Sequence, residues 1–155
     1  KRKLRDLNWV KIFLLSCTIS YVTTYIPFSD AGVDSFVRIL MFLSRTLFVL
    51  ILGLLFDLKD FSKDKSDSLK SLPVVLGAKK TKILSTVLLF IIICIYFYTA
   101  YQFIIELNIF MSILISYGFL QLLILKTKNT SPKQLFSFWA DGLLILPYLL
   151  LKLMF

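Results

Sequence analysis

Apolar residues gather into five long runs, at about residues 9–27, 36–56, 83–101, 107–125 and 135–155, with polar segments between them. Each run holds the roughly 20 mostly apolar residues that an α-helix needs to cross the hydrocarbon of a bilayer. The clearest is "FVRILMFLSRTLFVLILGLLF", Phe36 to Phe56. The pattern predicts an all-α integral membrane protein of five transmembrane helices, a single domain over residues 1–155 with a polar loop at 57–82. No domain linker, repeat or low-complexity tract interrupts it. Pro27 sits where the first helix is expected to stop, because proline lacks the amide that the next turn requires. Ser131 and Pro132 read as a hydroxyl N-cap and a proline at the first helical position of the last helix, which Pro147 is expected to kink.

Composition agrees with the pattern. The chain is 58% hydrophobic, with a mean hydropathy of +0.84, too apolar for an ordinary soluble domain. Its 18 Lys and Arg against 9 Asp and Glu give a net charge of +9. No nucleic-acid signature accompanies that charge, and membrane proteins concentrate cations in their cytoplasmic loops. Fifteen of the 18 cations fall in three segments: Lys1 to Lys11, Lys59 to Lys82, and Lys126 to Lys133. Threading five helices alternately puts all three on one face, which the positive-inside rule makes cytoplasmic. The opposite face has Asp30, Asp34 and Glu106. The aromatic residues agree, with Trp9 and Trp139 at the inner interface and Tyr25 and Tyr101 near the outer one. A multi-pass protein of a bacterial inner membrane is the expected setting, with the acidic loop on the cytoplasmic side.

Cys17 and Cys94 lie inside apolar runs and read as small buried hydrophobes. There is no histidine, which removes imidazole bases and imidazole-bound metals and leaves carboxylates as the plausible metal ligands. Hard oxygen donors suit Mg²⁺ best among the common ions. The sequence opens on Lys1 in a basic juxtamembrane segment, so an N-terminal portion of the same protein is expected to precede it.

The segment "FDLKDFSKDKSDSLKSLPVVLG", Phe56 to Gly77, carries the candidate chemistry. Asp57, Asp60, Asp64 and Asp67 are spaced i, i+3, i+7 and i+10. If the second helix continues past Phe56, they fall within an arc of about 80° at ~100° per residue. Carboxylates on that face could hold Mg²⁺, with waters and substrate phosphates completing its coordination. The surrounding lysines suit a phosphate-bearing substrate. A solvated, Asp- and Lys-rich helix end is the plainer reading, and spacing by itself does not make a metal site. Acids at a helix C-terminus do oppose the macrodipole, so something is needed to compensate them.

Asp60-x-x-x-Asp64, with Asp57 ahead of it and Ser71-Leu72-Pro73 and Gly77 behind, resembles the second aspartate-rich motif of the UbiA prenyltransferase superfamily. In that family an acidic run ends a transmembrane helix. A basic stretch follows, then a Ser/Thr-Leu/Ile-Pro-x-x-x-Gly element that turns the chain toward the next helix. The whole chain resembles the C-terminal half of the family's helical bundle. It departs from the pattern at Lys65, where the family often has Arg, and at Ser68, where it often has Gly. The first Asn/Asp-rich motif is not among these residues, so this stretch would hold half of an active site.

The resemblance implies a Mg²⁺-dependent membrane prenyltransferase. Such an enzyme moves a polyprenyl group from its diphosphate to an aromatic or other lipophilic acceptor, most commonly in quinone biosynthesis. It implies Asp60 and Asp64 as catalytic metal ligands, Asp57 as a third contributor, and Lys65 and Lys70 as diphosphate contacts. Asp67 lies outside the matched positions and reads as a loop charge. The CDP-alcohol phosphotransferases also use membrane aspartates, but their D-x-x-D-G-x-x-A-R pattern is not met, since Phe61 follows Asp60. A non-catalytic polytopic protein, a transporter or assembly subunit with a solvated acidic loop, is the alternative.

Three further charges fall in or beside the spans. Arg45 is near the middle of the second helix, where a cation is costly and marks either a functional site or a structural ion pair, with Asp141 or with the preceding portion as partner. Arg38, one turn from Asp34, is expected to pair with it. Asp141 lies close to the cytoplasmic end of the last helix, where it either shares a cavity with the acidic loop or plays no part there.

Overall fold

The computed structural model describes the main chain of residues 8–66, 71–103, 107–127, 142–143, 145–146, 148–150 and 152–153. Among them there is no strand. Four helices are long and apolar enough to cross a membrane: Val10–Asp30, Ser35–Lys59, Ala78–Gln102 and Leu107–Lys126. The protein is an all-α, multi-pass membrane protein. Most of the fifth expected span, 135–155, lies outside the described residues. Those described within it, from Gly142 to Leu153, are helical, and Leu143 is buried in the core.

The first span is continuous but not uniform. α1 (Asn8–Ser20) passes into a π-helical turn at Tyr21–Tyr25 and then into α2 (Ile26–Asp30). Pro27 does not end the span. The Ile26 amide bonds back to the carbonyl of Tyr21, one residue wider than α-helical register, and Pro27 falls in the first turn of α2. There its missing amide deprives the helix of little. The chain reverses only after Asp30. Asp34 then caps α3 (Ser35–Lys59), its Oδ1 accepting from the amides of Phe36 at 2.9 Å and Val37 at 3.4 Å.

That capping bond redirects Arg38. The guanidinium does not pair with Asp34; it donates to Ser29 Oγ at 2.9 Å and Ser35 Oγ at 3.1 Å. It also lies over the Tyr25 ring, 4.9 Å from the centroid. The arginine thus ties α2 to the start of α3 through hydroxyls and a ring.

α3 packs against both α1 and α6 (Ala78–Phe103), and α7 (Leu107–Lys126) packs against α6. Phe48, Ile51, Leu52, Leu55 and Leu58 of α3, Leu89 and Ile92 of α6, and Leu120 and Ile124 of α7 form one buried cluster. Within a bilayer such association rests on close packing, since lipid is as apolar as leucine. Gly53 shows how close it is: a Cβ there would lie 2.6 Å from Ile12 Cγ2 of α1. Hydroxyls inside the bundle are largely satisfied within their own helices. Ser16, Thr46, Thr81 and Ser116 each donate to the carbonyl four residues earlier, as backbone-rich hydrocarbon surroundings require. Cys17 is half-buried and Cys94 exposed, both free. Cys94 is therefore not the buried hydrophobe expected, because the outer surface of a membrane helix is as apolar as its packed face.

Two short helices, α4 (Phe61–Ser66) and α5 (Leu72–Leu76), join α3 to α6. The expected loop at 57–82 is thus shorter and largely helical. α3 runs on to Lys59, and α6 begins at Ala78, five residues before its apolar run. Lys82 Nζ reaches across to the carbonyl of Leu125 at 3.0 Å. It meets the orphan acceptors at the C-terminus of α7 and holds this end of the bundle together.

A candidate metal-binding loop at the end of α3

α3 outlasts its apolar run by one turn and then breaks. Asp60 leaves helical geometry at φ −87° and ψ 8°, and α4 starts afresh at Phe61. The four aspartates therefore do not ride one continuous helix. Asp57 is in the last turn of α3, Asp60 is the hinge, and Asp64 is in the first turn of α4. The Asp64 amide donates to the Asp60 carbonyl at 2.9 Å, which fixes the second pair one turn apart despite the break.

The break leaves Asp57, Asp60 and Asp64 at one end of α3 without forming a closed cluster. Asp57 lies in the field of both Asp64 and Asp60. All three are half-buried. One of the Asp57 carboxylate oxygens, Oδ2, is buried and has no hydrogen-bond partner among the described residues. A buried, unpartnered carboxylate oxygen beside two like charges is expensive, and a proton or a bound cation relieves it. No set of three or more acids or cysteines among the described residues stands close enough to form a ready-made metal cage. Mg²⁺ does not need one. It is commonly held by one or two carboxylates, with waters and substrate phosphates in its other positions, and the donors at the end of α3 fit that mode.

The cationic side is less gathered. Lys65 is exposed in α4, free to reach outward but not held. Lys70 and Asp67 lie outside the described residues. Lys59, read from sequence only as one of many basic residues, is 8% exposed. Its Nζ lies 5.7 Å from the centre of the Phe56 ring, and the i, i+3 spacing of an aromatic and a lysine was the available signal.

The element after the acids is built as a turn. Ser71 is the N-cap of α5 by backbone geometry, Pro73 is buried in its first turn, and Gly77 ends it at φ 87° and ψ 149°. That conformation is open essentially to glycine alone. The Ser71 side chain makes no capping bond. Its Oγ is fully buried without a partner, a second unsatisfied polar atom in the segment that joins the acids to α6.

Arg45 is half-buried, its guanidinium 5.4 Å from the centre of the Phe48 ring. Asp141, its suggested partner, lies outside the described residues. Comparison with protein-family models, with curated proteins and with solved structures returns no match.

Proposed function

We propose that this chain supplies one metal-binding half of a Mg²⁺-dependent membrane prenyltransferase, which transfers a polyprenyl group from its diphosphate to an aromatic or other lipophilic acceptor, most readily a quinone precursor. The reading includes a fifth span at 135–155, the acidic loop on the cytoplasmic side of a bacterial inner membrane, and a preceding portion bearing the other metal ligands. The observation that carries it is the Asp57 carboxylate, with a buried oxygen, unpartnered among the described residues, in the field of Asp60 and Asp64. The UbiA-like spacing of these acids from Pro73 and Gly77 supports it.

In this reading Asp60 and Asp64 hold Mg²⁺, with Asp57 as third contributor. When bound, the ion neutralises charge that builds on the departing diphosphate. Asp57 of α3 and Asp64 of α4 lie on either side of the break at Asp60. Lys65 and Lys70 serve the diphosphate as mobile point charges. The apolar helices give the isoprenoid tail a lipid-like surface along which to lie. Asp57 tightens the site by needing the cation.

The test is turnover. Purified protein, with any preceding portion of the chain retained, is given a radiolabelled prenyl diphosphate, Mg²⁺ and a phenolic acceptor, and labelling of the acceptor is followed together with release of inorganic diphosphate. Wild-type protein should release it only with the metal, and Asp60→Ala and Asp64→Ala should each abolish release. If both variants match wild type, the loop is a solvated helix end, and the transporter or assembly-subunit reading takes its place.

A further inference from the structure

Arg45 lies ten residues from the start of α3 and fourteen from its end. At 1.5 Å per residue it sits about 15 Å and about 21 Å from the two ends, near the middle of the hydrocarbon. A cation at that depth is costly and needs an anionic or strongly dipolar partner.

None of the five described carboxylates supplies it. Asp30 and Asp34 lie at the outset of α3, and Asp57, Asp60 and Asp64 lie at or beyond its other end. Asp57, the nearest of those three in sequence, is twelve residues away, about 18 Å along the helix. Arg45 makes no hydrogen bond to a described residue. From Gly142 onward the sequence contains no acid.

The setting suits a ligand. Phe48, 5.4 Å away, lies against the guanidinium. The Phe48 ring meets Tyr117 of α7 with centroids 5.9 Å apart, and Tyr117 meets Tyr96 of α6 at 5.6 Å. Arg45 and Phe48 of α3, Tyr117 of α7 and Tyr96 of α6 thus form a run of successive side-chain contacts across the three spans. Guanidinium N–H groups match a carboxylate in bidentate fashion. A small hydrated anion would have to shed its water to reach this depth, whereas a molecule with an apolar body arrives through the lipid.

We propose that Arg45, framed by Phe48, Tyr96 and Tyr117, is a binding site for the carboxylate of a lipophilic acid drawn from the bilayer. The site stands apart from the acidic loop, and neither reading depends on the other.

The experiment uses cis-parinarate, a fluorescent long-chain carboxylate, with the purified protein in detergent micelles and with its methyl ester as the uncharged control. Wild type should bind the acid saturably and the ester not. Arg45→Gln should weaken binding at least about tenfold, in keeping with the loss of a charge-assisted hydrogen bond. Arg45→Lys, which keeps the charge but loses the fork, should fall between them and guards against misfolding. Asp60→Asn should bind as wild type does. Equal binding of acid and ester, or unchanged binding by Arg45→Gln, overturns the proposal. So does an absence of saturable binding by wild type that Asp141→Asn restores, since Arg45 would then be paired within its own chain.

Discussion

The amide of Asp64 donates to the carbonyl of Asp60 across 2.9 Å, and the helix that carries Asp57 ends at the same residue. The acidic run is therefore a hinge with a carboxylate on each side, where an unbroken helix would have set all of them along one face. Its electrostatics follow from that bend, because like charges are brought near one another at the end of an apolar span.

Asp57→Asn should raise thermal stability in the absence of divalent cations. The substitution removes a charge that burial and two neighbouring carboxylates disfavour while leaving the side-chain shape nearly unchanged. In millimolar Mg²⁺ the advantage should shrink, since wild type gains the cation and the variant holds it less well. Melting temperatures with chelator and with Mg²⁺ check this. A variant less stable than wild type in chelator would mean that the Asp57 charge is already compensated.

Gly77→Ala should destabilise the protein by about 1–3 kcal/mol, the usual cost of holding a side-chain-bearing residue in a glycine-only conformation. Nothing lies within 4 Å of the position where its Cβ would go, so the effect belongs to the backbone at φ 87° and not to a clash. Gly77→D-Ala, introduced by semisynthesis, should restore stability.

Gly53→Val should loosen α1 from α3. A Cβ at Gly53 meets Ile12 Cγ2 at 2.6 Å, and overpacking of this kind typically costs about 1–3 kcal/mol. Trimming the neighbour in the double variant Ile12→Ala/Gly53→Val should recover part of the loss. A double-mutant cycle on melting temperature measures the coupling, and strict additivity would show that the helices do not approach there.

The spans were legible because length and apolarity alone decide whether a helix can cross a bilayer. Ser35–Lys59 and Leu107–Lys126 fall within a few residues of their apolar runs. The ends were less legible, because helix and hydrocarbon need not stop together. α6 begins in the polar segment Ala78 to Lys82, where the Thr81 hydroxyl and amide both bond to the Gly77 carbonyl. Pro27 misled because the π-helical turn before it leaves no mark in the hydrophobic pattern. Arg38 misled because Asp34 had already committed its Oδ1 to the start of α3. At the candidate site, residue spacing grouped Asp57, Asp60, Asp64 and Asp67, and the family resemblance narrowed them to the first three. Spacing could not show that Asp60 breaks the helix or that one Asp57 oxygen is buried, since both depend on how α4 and α5 fold back against α3.

The central claim is that the acids at the end of α3 take a divalent cation together with a prenyl diphosphate. Manganese serves as a paramagnetic stand-in for magnesium, and its free aqueous signal in electron paramagnetic resonance reports what remains unbound. Adding farnesyl diphosphate to wild-type protein should remove that signal to a degree that neither component achieves alone, and Asp60→Asn/Asp64→Asn should leave it nearly intact. Equal loss of signal in wild type and the double variant would contradict the claim.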